Sequence, residues 1–144
     1  MVEAGSSVAV GACWVNGRLV EPGTATVRAD DHAVVVGDGV FETMRIVDGA
    51  AFALGRHLRR LDRSAAGLGL DEPDEDRIRT AVGEVLAADP SAGLLRITWS
   101  SGAGPWGSGR GDGPGTLVVG SGPPNVWPST ERVHLVPWRR NEHG

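Results

Sequence analysis

The sequence predicts an α+β fold in which an antiparallel sheet carries two helices. Short apolar or alternating segments lie near both ends of the chain, two stretches with helical periodicity lie between them, and Asn-Gly and Asp-Gly pairs mark tight turns. Strands followed by helices and then by strands again are typical of the α+β class. A chain of 144 residues is long enough for one domain with its own hydrophobic core.

Two tight turns organise the predicted N-terminal strands. Asn16-Gly17 favours a type I′ turn, because both central residues of that turn need a positive φ, and Asp48-Gly49 favours a second hairpin turn. The strands predicted on either side of these turns span residues 13–15 and 18–20 for the first hairpin, and 40–47 and 51–54 for the second.

Two helices are predicted in the middle of the chain. The first spans residues 55–69, where leucine and alanine recur at helical spacing and form one apolar face. The second starts near residues 71–73, because Pro73 suits the first turn and the acidic residues after it favour the positive end of the helix dipole. It ends before Asp89-Pro90, since a residue that precedes proline is disfavoured in a helix. The apolar stripes comprise Leu58, Leu61, Ala65 and Leu68 in the first helix and Ile78, Val82 and Val85 in the second.

Glycine and proline are concentrated in one late segment. Residues 102–128 hold 9 Gly and 5 Pro and are therefore predicted to be mostly loop. Gly102 to Gly107 match the G-x-G-x-x-G pattern, but a dinucleotide site also needs a helix at the last glycine, and more glycine follows here. Both this motif and the Arg110-Gly111-Asp112 tripeptide are interpreted as loop sequence. Strands are predicted at 94–100, at 116–119 with the residues just after, and at 132–136.

Composition and charge argue against several classes of protein. The net charge of −4 disfavours a nucleic-acid surface, and no apolar run is long enough to span a membrane. The single cysteine, Cys13, excludes an internal disulfide, and its place in an apolar strand predicts a packed thiol. The four histidines show no metal-ligand spacing, so no metal site is expected. These features predict a cytoplasmic protein.

Alternating side chains in the segment 40–47 give the first candidate site. Phe41, Thr43 and Arg45 fall on one face of this strand. A ring, a hydroxyl and a guanidinium suit either a solvent-facing side or the wall of a pocket. In the second interpretation Phe41 packs against a ligand and Arg45 binds a carboxylate, and the pattern alone leaves both open. The opposite face comprises Val40, Glu42, Met44 and Ile46.

Arg60 in the first predicted helix gives the second candidate. The apolar stripe of that helix fixes its buried direction, and Arg56, Arg59 and Arg63 point away from it, so they are interpreted as solvated. Arg60 lies instead on the shoulder of the apolar face, on the same side as His57. A half-buried guanidinium at the edge of a core suits a phosphate or a carboxylate, and a solvated side chain is the alternative.

In order and spacing, several motifs resemble the N-terminal part of the class IV (fold type IV) pyridoxal-phosphate enzymes. That family includes branched-chain aminotransferases, D-amino-acid aminotransferases and aminodeoxychorismate lyase. The resemblance is most specific over residues 37–68. Its motifs are Val15-Asn16-Gly17, Ala29-Asp30-Asp31-His32, Gly37-Asp38-Gly39-Val40-Phe41-Glu42-Thr43, Arg45, Asp48-Gly49, His57-Leu58-Arg59-Arg60-Leu61 and Ser64-Ala65.

The resemblance implies a fold, a cofactor and a set of roles. It implies the N-terminal domain of a D-amino-acid-aminotransferase-like two-domain enzyme that uses pyridoxal 5'-phosphate. By the resemblance, Arg60 contacts the cofactor phosphate, Phe41 lines the substrate pocket, and Arg45 is a candidate for the substrate carboxylate. Val36 stands on the substrate side where members often carry an aromatic residue, so stacking is not expected there.

The chain departs from the family in one essential residue. Members use a lysine to hold the cofactor as a Schiff base and to move protons, but all 14 basic residues here are arginine. This fragment is therefore expected to be inactive alone, and no catalytic residue is assigned within it. Trp138-Arg139-Arg140-Asn141 resembles the stretch that shortly precedes the lysine in the family.

The resemblance also divides the chain and names its partners. It implies an N-terminal tail at 1–11, an N-terminal α/β sandwich domain at 12–128 and the start of an interdomain segment at 129–144, with the C-terminal domain absent. The full-length protein is expected to be a homodimer that transaminates a small amino acid or keto acid, or acts on aminodeoxychorismate as a lyase. Neither nucleic acid nor a membrane is expected as a partner. The alternative is a stand-alone, non-catalytic domain for anion binding or dimerisation.

Overall fold

A single antiparallel sheet forms the centre of the molecule, as the computed structural model shows for residues 11–126 and 128–138. The elements are β1 Cys13–Val15, β2 Arg18–Val20, a 3-10 turn Pro22–Thr24, α1 His32–Val35, β3 Gly39–Val47, β4 Ala50–Ala51, α2 Leu54–Leu68, α3 Glu75–Ala88, β5 Leu94–Ser100 and β6 Thr116–Gly122. The six strands lie in the order β2-β1-β6-β5-β3-β4, and α2 and α3 cover one face. The α+β prediction is confirmed.

The hydrophobic core lies between the two long helices and the sheet. Alternate residues of β3 and β5 point inward together, because the antiparallel register sets Val40 opposite Trp99 and Met44 opposite Leu95. The apolar stripes of α2 and α3 close over these side chains. The fully buried helical residues include Leu61, Ala65, Ile78, Ala81 and Val85. Among the described residues, no helix is long and apolar enough to cross a membrane.

The predicted turns are confirmed by their backbone conformation. Asn16 and Gly17 have φ values of 48° and 116°, and Asp48 and Gly49 have φ values of 50° and 75°. Two successive residues with positive φ are what a type I′ turn requires. These turns join the hairpins β1–β2 and β3–β4, and each hairpin lies at one edge of the sheet.

The helices differ from the prediction at two ends. The second helix begins at Glu75 rather than near residues 71–73, because the Asp74 side chain accepts a hydrogen bond from the Arg77 backbone N–H and caps the helix there. Leu68 was predicted on the apolar face but is 50% exposed, since α2 ends at that residue. Leu70, beyond the helix, is buried instead.

Two strand predictions need correction, and a third is confirmed. The strand predicted at 51–54 shortens to Ala50–Ala51, because Ala53 adopts a left-handed conformation with φ 54° and α2 starts at the next residue. The strand predicted at 116–119 and the residues just after it is confirmed as β6, which reaches Gly122 and pairs with β5 along its whole length. The strand predicted at 132–136 does not form: no strand of the described chain pairs with it, and a lone strand leaves its backbone groups without partners.

The glycine-rich loop after β5 is tied to the segment before α1. The backbone N–H of His32 donates to Gly102 O over 2.9 Å, and that of Gly104 donates to Asp30 O over 3.0 Å. The buried His32 ring adds a hydrogen bond from Nε2 to Pro105 O over 2.9 Å. The G-x-G-x-x-G sequence is therefore loop, as predicted, and no helix follows it before β6.

Arg110 has a structural role that its interpretation as ordinary loop sequence missed. Its guanidinium donates Nε and Nη2 hydrogen bonds to the Asp38 carboxylate, over 2.6 and 2.8 Å. It also donates to the carbonyl oxygens of Leu68 and Gly69 at the C-terminus of α2. A cation suits this end of a helix because the last carbonyl groups have no partner within the helix. Arg110 therefore joins the loop, α2 and the start of β3.

We expect Gly102→Ala to destabilise the fold. Gly102 has φ 79°, and a Cβ there would lie 2.1 Å from Pro114 O. The strained backbone and the clash together should lower the free energy of unfolding by about 2 kcal/mol or more. Urea unfolding measures the loss. Gly107→Ala is the matched control, because nothing lies within 4 Å of a Cβ at Gly107. Equal effects of the two substitutions would contradict the anchored loop.

Candidate functional site

The sheet face opposite α2 and α3, which we call the open face, carries the first group of candidate residues. Phe41 and Arg45 point to this face and are exposed, with Phe41 at 57%. Glu42 and Met44, which alternate with them, are buried toward the helices at 3% and 4% exposure. The predicted division of β3 into two faces is confirmed. On this face the Phe41 ring can contact the apolar part of a ligand, and the Arg45 guanidinium can bind a carboxylate.

Arg96 of β5 also lies on the open face, and sequence reasoning did not identify it. Its register partner is Thr43, so it lies diagonally between Phe41 and Arg45. The guanidinium carbon stands 3.7 Å from the centroid of the Phe41 ring, within the range of a cation–π contact. Neither Arg45 nor Arg96 forms an ion pair with an acidic residue in the part of the chain that the structure describes.

A shallow cavity of about 370 Å³ lies beside Arg96 on the same face. Its floor is formed by the outward residues of β5 and β6, among them Leu94, Thr98 and Val118. Arg96 is charged, whereas the other residues that line this cavity are uncharged. Cys13 also lines the cavity, and its thiol is buried, so the predicted packed thiol is confirmed. Burial raises the pKa of this thiol.

Arg60 is bound to a buried carboxylate on the other side of β3. Its Nε donates to Glu42 Oε1 over 2.6 Å, and its Nη2 donates to Glu42 Oε2. His57, one turn earlier in α2, lies with Nδ1 2.7 Å from the same Oε2. Because an ionised carboxylate only accepts hydrogen bonds, Nδ1 of His57 carries the proton. We call these three residues the Glu42 cluster.

Opposing effects set the charge of the Glu42 cluster. Burial acts to raise the pKa of Glu42, but the hydrogen bonds and charges of Arg60 and His57 outweigh burial, and the pKa is lowered. The hydrogen bond and charge of Glu42 in turn raise the pKa of Arg60. Glu42 and Arg60 are therefore an ion pair at neutral pH. The side chain of Arg60 is 58% exposed, whereas that of Glu42 is 4% exposed.

The sequence could have indicated this pair. Glu42 falls on the apolar face of β3 by simple alternation, and a carboxylate on such a face needs a cationic partner. Arg60 was identified from its place on α2, but its protein partner was not. Arg56, Arg59 and Arg63, which were interpreted as solvated, are exposed.

The structure does not place the predicted site residues on one face. Arg60 binds the helix side of β3 through Glu42, whereas Phe41 and Arg45 lie on the open face. The two groups lie on opposite faces of β3, next to one of its edges. β5 pairs with the other edge over residues 39–45, whereas β4 pairs with this edge only at Ile46 and Val47. Among the described residues, no strand covers the remaining edge. A ligand lying along this edge would have Arg60 on one side and Phe41 on the other.

The other residues of interest have simpler surroundings. Val36 follows α1 and is 48% exposed, and it offers an aliphatic surface where stacking was not expected. The stretch that resembles the one before the family lysine, 138–141, lies outside the described residues except for Trp138, which is 80% exposed. Most of the predicted N-terminal tail is also outside the described residues.

Comparison with known proteins places the chain in a family. Residues 39–143 match the model of the family described as amino-transferase class IV. Over 93 residues, the chain is 43% identical to a bifunctional aminodeoxychorismate lyase / D-amino acid transaminase of Mycobacterium tuberculosis. This stretch covers 61% of the chain and 32% of the relative.

Solved structures show the same relationship. A hypothetical aminotransferase from Mycobacterium tuberculosis, in its PLP-bound form, superposes with a TM-score of 0.67 at 36% identity, over 78% of this chain and 39% of that one. A branched-chain aminotransferase from Thermoproteus uzoniensis with norvaline gives a TM-score of 0.76 at 26% identity, over 93% of this chain and 48% of that one.

The chain belongs to the class IV aminotransferase family. Enzymes of this family use pyridoxal phosphate, and those similar to this chain include transaminases and an aminodeoxychorismate lyase. The chain matches the N-terminal part of the fold type IV structures. It spans about a third of the length of the curated relative and less than half of each solved structure.

The Glu42 cluster should make the fold sensitive to acid. Because the pKa of Glu42 is lowered on folding, its stabilising effect is present above the unfolded-state pKa of about 4.3 and is lost as the pH falls through the folded value. We expect Glu42→Gln to lower the free energy of unfolding by about 1–3 kcal/mol at neutral pH. The difference in free energy of unfolding between the variant and the unchanged chain should shrink below about pH 4, because Glu42 then becomes protonated.

Urea unfolding over a series of pH values measures this difference. Glu75→Gln is the control, because Glu75 is an exposed carboxylate paired with Arg79 on the same helix and should change stability by no more than about 0.5 kcal/mol. A Glu42→Gln effect of constant size from neutral to acid pH would contradict the ionised pair.

Proposed function

We propose that this chain is the N-terminal part of a pyridoxal-phosphate-dependent class IV enzyme. The full-length protein would transaminate a small amino acid with a keto acid, or act on aminodeoxychorismate as a lyase. The observation that carries the proposal is the family match over residues 39–143, which includes the strand and helix that hold Phe41, Arg45 and Arg60. A homodimer in the cytoplasm is part of the same proposal.

The surroundings of Arg60 fit the phosphate of the cofactor. Glu42 engages Nε and Nη2, and the hydrogen bonds of the described residues leave the Nη1 edge without a protein partner. The side chain is more than half exposed, so this edge can donate to phosphate oxygens while Glu42 holds the other edge. When bound, pyridoxal phosphate supplies an electron sink for the bond broken at the substrate carbon.

The open face supplies the substrate side of the proposed site. Arg45 binds the substrate carboxylate, since its guanidinium is exposed and has no acidic partner in the described chain. Phe41 excludes water from the apolar part of the substrate, with Val36 as a further aliphatic surface. Arg96, resting on the Phe41 ring, adds a second positive charge. An acidic small molecule is the substrate class that these residues suit.

This chain lacks the residue that would move the proton. It contains no lysine, and the arginines stay protonated at any physiological pH. In the proposed enzyme the lysine comes from sequence outside these 144 residues, and the chain alone is inactive. Its own residues bind and orient the cofactor and the substrate.

The coding DNA and the activity of its full-length product test this proposal. We expect the reading frame to continue past Gly144 to a lysine and a second domain. With pyridoxal phosphate, the purified product should transfer an amino group between an amino acid and a keto acid, or cleave aminodeoxychorismate. The 144-residue chain is the control and should show neither activity, because it has no lysine. A stop codon directly after Gly144 would favour the stand-alone domain instead.

Arg45→Ala should impair substrate binding in the full-length enzyme. Loss of a hydrogen-bonded charge partner should raise KM for the carboxylate substrate by about 10- to 100-fold, with a smaller effect on kcat. Steady-state kinetics measures both constants. Arg63→Ala is the control, because Arg63 is an exposed arginine on α2, away from the open face. A change in stability without a change in KM would make Arg45 structural.

A further inference from the structure

We propose that Glu42 is a positioning residue that holds Arg60 in one orientation for the cofactor phosphate. This inference rests on the proposed function, in which Arg60 binds that phosphate. Glu42 itself is buried at 3% exposure and cannot touch the cofactor from the helix side of β3. It acts through Arg60, whose side chain is long, mostly exposed and otherwise able to adopt many rotamers.

The geometry of the pair defines the direction in which Arg60 can donate. Bonds from Nε to Oε1 and from Nη2 to Oε2 hold the planar guanidinium at two points, so its plane is fixed by the carboxylate. The opposite edge, with Nη1, then faces away from Glu42. An anion that binds there meets a donor that is already oriented. Binding therefore does not cost the conformational entropy of fixing the arginine side chain.

Glu42 is in turn fixed from two sides. Its backbone lies in the middle of β3, paired with Ile97 of β5, and its side chain packs between the sheet and α2. His57 donates to Oε2 over 2.7 Å, which holds the carboxylate from the preceding turn of the same helix. The orientation of Arg60 is therefore set by the core of the domain rather than by its own exposed surroundings.

The two possible roles of the Glu42–Arg60 ion pair predict different effects on ligand affinity. If the pair only stabilised the packing of α2 on the sheet, its loss would weaken the binding of every ligand of the site equally. A positioning role affects only ligands that carry the phosphate. The ratio of the affinities for pyridoxal phosphate and for pyridoxal, which lacks the phosphate, separates the two roles.

The experiment measures both dissociation constants in the full-length protein after removal of its cofactor. Arg60→Ala should weaken pyridoxal phosphate binding by roughly 10- to 150-fold and leave pyridoxal binding unchanged. Glu42→Gln should weaken pyridoxal phosphate binding by about tenfold, again without effect on pyridoxal. The double variant should bind no more weakly than Arg60→Ala, because Glu42 acts only through Arg60.

Two further variants complete the design. Asp89→Asn removes the charge of a carboxylate that accepts hydrogen bonds from Ser91 and Ser121 and pairs with no arginine of the described residues. It should leave the ratio of affinities unchanged. Glu42→Asp keeps the charge on a shorter side chain and should fall between the unchanged protein and Glu42→Gln. It serves as the test if Glu42→Gln does not fold.

Each outcome decides one of the two proposals. If Arg60→Ala leaves pyridoxal phosphate binding intact, the phosphate role of Arg60 in the proposed function is wrong, and the positioning role falls with it. If Arg60→Ala weakens binding but both Glu42 variants do not, only the positioning role is overturned. Equal weakening of pyridoxal and pyridoxal phosphate by the Glu42 variants would show that the pair merely stabilises the fold.

Discussion

The buried carboxylate of Glu42 constrains how α2 packs on the sheet. A charge in this place needs a cation and hydrogen bonds, and α2 supplies both from Arg60 and His57. This requirement fixes the rotation of α2 about its axis and its position along β3. It also fixes which face of β3 turns outward, so the exposure of Phe41 and Arg45 follows from the burial of their neighbour.

The local elements could be predicted because their signals are local. Turns with two positive φ values at Asn16-Gly17 and Asp48-Gly49, and the apolar stripes of the two long helices, depend on residues close in sequence. The predicted strand at 132–136 failed because alternation shows that a segment can form a strand but not that a partner is present. Val133 and Leu135 are 87% and 94% exposed in the absence of such a partner among the described residues.

A site residue could be predicted only where its position depends on a single helix or strand. The position of Arg60 follows from the helical period, and the face of Phe41 and Arg45 follows from alternation in one strand. Arg96 could not be found in this way, because its contact with Phe41 depends on the register of β5 against β3. The anchoring of Arg110 to Asp38 likewise joins residues 72 positions apart, a distance at which sequence pattern carries no information.

The alternation of β3 restricts how this part of the molecule can vary in length. A single inserted or deleted residue before Glu42 would exchange the two faces, bringing an arginine into the core and a carboxylate out of it. Within the strand, only an insertion of two residues keeps each following side chain on its present face. We expect changes in length to be tolerated instead at the tip of the β3–β4 hairpin, because Asp48 and Gly49 are exposed and lie outside the core. Lengthened or grafted variants of the domain are best built there.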